Sequence, residues 1–200
     1  MRRTMQALLG VAILAAGVAR ADGFERGTLV SAAWEAGVPI ASLRQYVSAP
    51  SYSGVQVEVR WGLAPRLSIG LNGGWNWFAQ NFSQLSVSIP NGTISGPVYN
   101  RVQFFTLRAT GHWYLSRGWL QPYLGAGVGG TWYGTYRQVS DLVSSSSGFA
   151  FAADPQIGML VTVAPGLALL LQVRYQFTLA RFANVKNAQW FGAELGIALF

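Results

Sequence analysis

The chain has 200 residues, of which 51% are hydrophobic and only 10% charged, with 24 Gly, 8 Trp and no Cys. A soluble domain carries about 25% charged residues, so an ordinary wet surface is excluded. Missing cysteine excludes disulfides, thiolate metal sites, a Cys nucleophile and a lipoprotein anchor, and a net charge of +7 with a single Lys and no basic cluster gives nucleic-acid binding no support.

The N-terminus reads as a signal peptide over residues 1–21. Arg2 and Arg3 form a charged start, Ala7 to Val18 an apolar core too short for a typical span, and Ala19-Arg20-Ala21 a small-x-small cleavage pattern. The expected mature domain is 22–200. Loss of Arg2, Arg3 and Arg20 lowers the charge to a mild +4, and attraction to anionic lipopolysaccharide is the better use of that excess. Past this point no run of about 18 apolar residues offers a transmembrane helix. The nearest, Ile157 to Leu171, is broken by Gly158, Thr162, Pro165 and Gly166.

The mature chain is dominated instead by period-two alternation, the mark of strands. Eight segments carry it. The first is Gly27 to Ala36, with Val30, Ala32 and Trp34 on one face. Val55 to Leu63 and Leu67 to Trp77 are the second and third, placing Val57, Val59, Trp61, Leu71 and Trp75 opposite Glu58, Arg60, Asn72 and Gly74. The fourth, Arg101 to Leu115, alternates Phe105, Leu107 and Trp113 with Arg108, Thr110 and His112. The fifth is Pro122 to Tyr133. The sixth, Gly148 to Val163, is interrupted by Asp154-Pro155, which predicts a bulge or register change. The seventh, Leu167 to Thr178, sets Leu171, Val173 and Tyr175 against Gln172 and Arg174. The eighth closes the chain with Phe191, Leu195, Ile197 and Leu199 opposite Glu194. About ten residues suits a tilted strand crossing a bilayer.

The connections alternate strictly. Gly37–Ser51, Ala79–Asn100, Gly134–Ser147 and Ala180–Ala188 are long and polar; Ala64–Arg66, Ser116–Gln121 and Ala164–Gly166 are short. That is the pattern of an up-and-down transmembrane barrel with short periplasmic turns. Aromatic residues fall into two sets, as interfacial girdles require. Trp34, Tyr52, Trp75, Trp77, Phe105, Trp132, Phe149, Tyr175, Phe177, Trp190 and Phe191 form the expected outer rim, and Trp61, Trp113, Trp119, Tyr123 and Phe200 the inner. The predicted fold is an all-β, eight-stranded antiparallel barrel, since hydrocarbon admits only helices and edgeless sheets.

The chain resembles the small outer-membrane β-barrel family typified by the transmembrane domain of outer membrane protein A. The carriers are Gly-Leu-x-Pro-Arg-Leu-Ser at Gly62–Ser68, Pro-Tyr-Leu-Gly-Ala-Gly-Val-Gly at Pro122–Gly129, and the terminal Phe200. The resemblance spans Asp22 to Phe200. It implies outer-membrane lipids and lipopolysaccharide as surroundings and insertion by the barrel-assembly machinery, with Glu194-x-Gly196-x-x-Leu199-Phe200 similar to the family's assembly signal. Leu199 and Phe200 are adjacent, where the family usually spaces two large residues one apart.

By parity the lumen holds Glu35, Glu58, Arg60, Arg108, His112, Asp154, Arg174 and Glu194. The expected charge network is Glu58, Arg60, Arg108, Arg174 and Glu194, with Glu194 on Arg174 and Glu58 on Arg60 or Arg108, because buried unpaired charge is costly. Such a network either plugs the barrel or gates a narrow pore for small or hydrophobic solutes, a channel resembling outer membrane protein W. His112 has no serine beside it in sequence and reads as an interior hydrogen-bonded residue. Gly125-x-Gly127-x-x-Gly130 lies in a strand, not at a helix start, so a dinucleotide reading fails. Asn81-Phe82-Ser83 and Asn91-Gly92-Thr93 read as loop and turn chemistry, and Ser144–Ser147 as a flexible loop tip. The Ala79–Asn100 segment, with Leu85, Val87 and Ile89 alternating, reads as a hairpin above the membrane turning at Asn91-Gly92, the best partner-contacting element. The function expected is a non-enzymatic structural or surface-interaction role in the Gram-negative outer membrane, without cofactor or metal. The narrow channel is the alternative.

Overall fold

The computed structural model describes residues 27–89, 92–140, 142–183 and 185–200, with side chains over 83–89 and 92–95 left aside. The proposed signal peptide lies outside this range. The elements are β1 (Thr28–Ile40), α1 (Ala41–Tyr46), β2 (Ser51–Ala64), β3 (Leu67–Ile89), β4 (Gly92–Tyr114), β5 (Leu120–Val139), β6 (Leu142–Ala164), β7 (Leu167–Phe182) and β8 (Val185–Leu199). Each strand pairs antiparallel with its sequence neighbours, and β1 pairs with β8, so the sheet closes as an eight-stranded up-and-down barrel.

The alternation of the sequence is now inside against outside. Leu71, Leu107, Val128, Ile157, Val173 and Leu195 are exposed on the outer wall. Arg60, Asn72, Arg108, Asp154, Arg174 and Glu194 are buried within. An exterior of Leu, Val, Ile and Trp around a polar interior is inverted relative to a soluble protein. It is stable only where the surroundings are hydrocarbon. Trp61, Trp113 and Trp119 are exposed at the end of the short turns. Trp34, Tyr52, Trp75, Phe105, Trp132, Phe149 and Phe191 are exposed at the other end.

Three aromatic residues leave the girdles assigned to them. Trp190 is 1% exposed and Tyr123 fully buried, both inside the barrel. Each adjoins an outward residue, Phe191 or Leu124, and successive strand side chains point to opposite faces. Phe200 packs against the buried cluster at the inner end.

The strands run far past the bilayer. β3, β4 and β6 have 23 residues each, roughly 60 Å of height at ~3.3 Å per residue and a tilt of about 40°, against about 30 Å of hydrocarbon. Over their described residues, three of the four long loops are therefore almost wholly strand. Asn81 pairs with Tyr99, and Ser144–Ser147 pair with Arg137–Gly134. The β3–β4 ladder reaches Ile89↔Gly92. Asn91 of the expected Asn91-Gly92 turn lies outside the described residues. Among the described residues only Gly37–Ser51 keeps a helical insert, α1. Asp154-Pro155 produces neither bulge nor shift: β6 pairs with β7 at Ala153↔Phe177 and again at Gln156↔Arg174 in one register. The pairs between are missing because proline has no N–H to give.

Above the lipid the ring opens. The β2–β3 ladder stops at Val55↔Trp75 and the β6–β7 ladder at Ala152↔Thr178. β3, β4, β5 and β6 stay paired beyond these points, so a four-stranded sheet stands clear of the membrane.

Candidate functional site

The lumen is filled in three layers. At the inner end Leu29, Tyr114, Tyr123, Leu160 and Leu170 form a buried apolar cluster. At the outer end Phe78, Phe104, Phe182 and Trp190 form another, covered by Leu43 and Tyr46 of α1 and by Val47 just after it. Trp190 stacks on Phe104 at 4.7 Å and meets Phe78 edge-on at 5.6 Å. The α1 cover is tied down by Ser42 Oγ donating to the Lys186 carbonyl (2.7 Å) and by Asn100 Nδ2 donating to the Tyr46 carbonyl (2.9 Å). Burial pushes the Tyr46 hydroxyl above its ordinary pKa range, with Arg137 pulling the other way.

Between these clusters lies the charged layer. Arg60 Nη2 donates to Glu58 Oε2 (2.8 Å) and Tyr123 Oη (3.1 Å), and its guanidinium lies 4.6 Å from the centre of the Tyr123 ring. Arg174 reaches two carboxylates at once. Its Nη1 donates to Asp154 Oδ2 (3.1 Å) and its Nη2 to Glu194 Oε2 (3.1 Å), while Nε also pairs with Glu194. Such a planar fork is what arginine supplies and lysine does not. Arg108 sits 3.4 Å from Asp154 Oδ2 and donates to Asn72 Oδ1 (2.5 Å), Gln176 Oε1 (2.5 Å) and Gln56 Oε1 (3.1 Å).

The five residues singled out from sequence are thus all in the lumen, within one connected layer. Glu58 takes Arg60, and Arg108 goes to Asp154 instead. Glu35 has no guanidinium in hydrogen-bond contact among the described residues. Its carboxylate accepts from Asn76 Nδ2 (2.8 Å), Trp190 Nε1 (3.1 Å) and Gln56 Nε2. His112 is buried, 3.0 Å from Gln156 Nε2 and 3.4 Å from Glu58 Oε1, with its ring edge-on to Tyr123. Those contacts include no serine. Sequence reasoning missed the neutral half of the layer: Gln56, Asn72 and Gln172 bridge the charges, and Gln176 accepts from Arg108. Their signal was available, as amides at lumen-parity positions where lipid forbids them. β5 contributes glycines here, and a Cβ at Gly127 would collide with the Asp154 carboxylate.

A closed up-and-down barrel with an apolar wall and a charged, filled interior defines an integral β-barrel membrane protein. No family model and no curated protein sequence matches the chain. Among solved structures it is similar to Neisserial surface protein A, at 15% identity and a TM-score of 0.61, covering 86% of this chain and 96% of that one. It is also similar to Ail, the attachment invasion locus protein of Yersinia pestis (9%, TM-score 0.48, 88% and 97%). A third likeness is to the outer membrane protease OmpT of Escherichia coli (8%, TM-score 0.46, 88% and 94%). The chain has the fold of the small outer-membrane β-barrels. At these identities the likeness carries the fold alone, and activity rests on the residues.

Proposed function

We propose that this protein is a closed, non-enzymatic outer-membrane barrel whose role is structural or surface-interacting. The observation that carries the reading is the lumen. Arg60, Arg108, Arg174, Tyr123, Phe104 and Trp190 are all fully or almost fully buried, so the axis is occupied by side chains in three successive layers. A solute would have to displace an apolar cluster, a hydrogen-bonded charge layer and a second apolar cluster. The four-stranded sheet above the bilayer is the part offered to the exterior. Insertion by the barrel-assembly machinery is part of the same reading, supported by β8 closing the barrel on β1.

Planar-bilayer recordings test this directly. The wild-type protein and Arg174→Ala are both expected to give no single-channel steps. Regular steps from the wild type that Arg174→Ala alters would replace this reading with the narrow, gated channel.

A further inference from the structure

The outer wall of the barrel carries a built recess where the lipid ends, and it goes beyond a structural role. On the outward face of β4, β5 and β6 a polar cleft of about 700 Å³ is lined by Arg101, Gln103, Tyr99, Tyr136 and Ser147 among others. Directly adjoining it, a second recess of about 670 Å³ is lined by Trp75, Phe105 and Trp132. Gln103, Gly134 and Ser147 line both, so the two are one continuous slot. Its apolar part lies in the outer girdle, and its polar part lies above it.

The parts of the slot select a chemistry. Trp75, Phe105 and Trp132 offer flat apolar walls at acyl-chain level. Tyr99 and Tyr136 meet edge-on at 6.1 Å, and with Gln103 and Ser147 they present the rings, amide and hydroxyl that suit a sugar. The Arg101 guanidinium lies over the Trp77 ring at 4.3 Å, fixed in place at the level where lipid phosphates sit. Arginine is suited to phosphate by its bidentate fork. The slot exists because β5 has a glycine beside Trp132. A Cβ at Gly134 would come within 3.1 Å of Gln103 Nε2, and a larger side chain would fill the shared part.

We propose that this slot holds one molecule of a phosphorylated, acylated glycolipid of the outer leaflet, the lipid A portion of lipopolysaccharide. Its acyl chains lie along Trp75, Phe105 and Trp132, and a phosphate is bound by Arg101. A soluble sugar would leave the apolar recess empty, and an uncharged lipid would leave Arg101 unanswered.

The test is native mass spectrometry of the folded, full-length mature barrel with purified lipid A, lipid A stripped of its phosphates, and phosphatidylethanolamine. Wild type should retain one lipid A and bind the stripped form about tenfold more weakly, the loss expected for one charge-assisted contact. Arg101→Ala and Gly134→Phe should show a similar loss, while Arg101→Lys keeps more of the binding. Arg66→Ala removes an equal charge at the opposite end of the barrel and should bind as wild type does. Heat-dependent gel mobility reports that each variant is folded. The stripped-lipid comparison uses wild type alone and decides the matter if a variant is not. Equal retention of all three lipids, no retention of lipid A, or equal losses for Arg101→Ala and Arg66→Ala would overturn the proposal.

Discussion

Arg174→Met is expected to cost about 3–5 kcal/mol of barrel stability, the usual result of stranding buried charge. The Arg174 guanidinium answers Asp154 and Glu194 simultaneously, both within 3.1 Å. Removing it leaves two buried carboxylates sharing what Arg108, 3.4 Å from Asp154, can offer. Arg174→Lys should fall between, since an ammonium keeps the charge and loses the fork. Urea unfolding followed by tryptophan emission and by heat-dependent gel mobility measures both. Adding Glu194→Gln to Arg174→Met should recover part of the loss, because one unpaired charge goes with it. A cost below about 1 kcal/mol for Arg174→Met would mean the layer behaves as exposed ion pairs do. The three-layer plug would then be wrong.

The membrane-spanning half of this fold was legible in the sequence because alternation is strongest where a strand separates unlike media. Over Leu67–Trp77 one face meets hydrocarbon and the other a polar lumen, so apolar and polar residues take turns. The same β3 strand continues to Ile89, but above the membrane both of its faces leave hydrocarbon. Gln80 and Asn81 then sit side by side with no change in backbone, and Ser144–Ser147 look like a loop although every one is paired. Hydrogen bonding continues where the periodic signal ends. α1 escaped notice for a different reason. Six residues entered through Ala41 at φ 49° are too short for a helical period to show. In the lumen, parity found every charged residue, whereas which carboxylate meets which guanidinium depends on the stagger between strands. Glu58 and Arg60, two apart on β2, could find each other locally. Arg108 and Asp154 come from β4 and β6, and β5 between them carries glycines that let their side chains meet.

Trp190 is the residue whose inward placement matters most, and Trp190→Ala is the sharper experiment on the outer layer. Had this ring belonged to the lipid girdle, truncation would remove one exposed aromatic among many. In the structure it is 1% exposed, stacked on Phe104, and donates its indole N–H to Glu35 at 3.1 Å. Its loss opens a cavity under α1, a change that costs about 3–5 kcal/mol for a large aromatic, and takes one of the donors from a buried carboxylate. Trp132→Phe, on the lipid face and 61% exposed, should cost less than about 1.5 kcal/mol, as apolar swaps do. Unfolding of the two variants under identical conditions separates these cases, and equal costs would return Trp190 to the girdle. Bilayer recordings of Trp190→Ala carry the second half of the argument. The arginine–carboxylate pairs of the charged layer lie deeper than the new cavity and none involves Trp190, so the variant should be as silent as the wild type. Steps appearing on Trp190→Ala would show that the outer apolar cluster alone seals the barrel and that the charged layer is permeable.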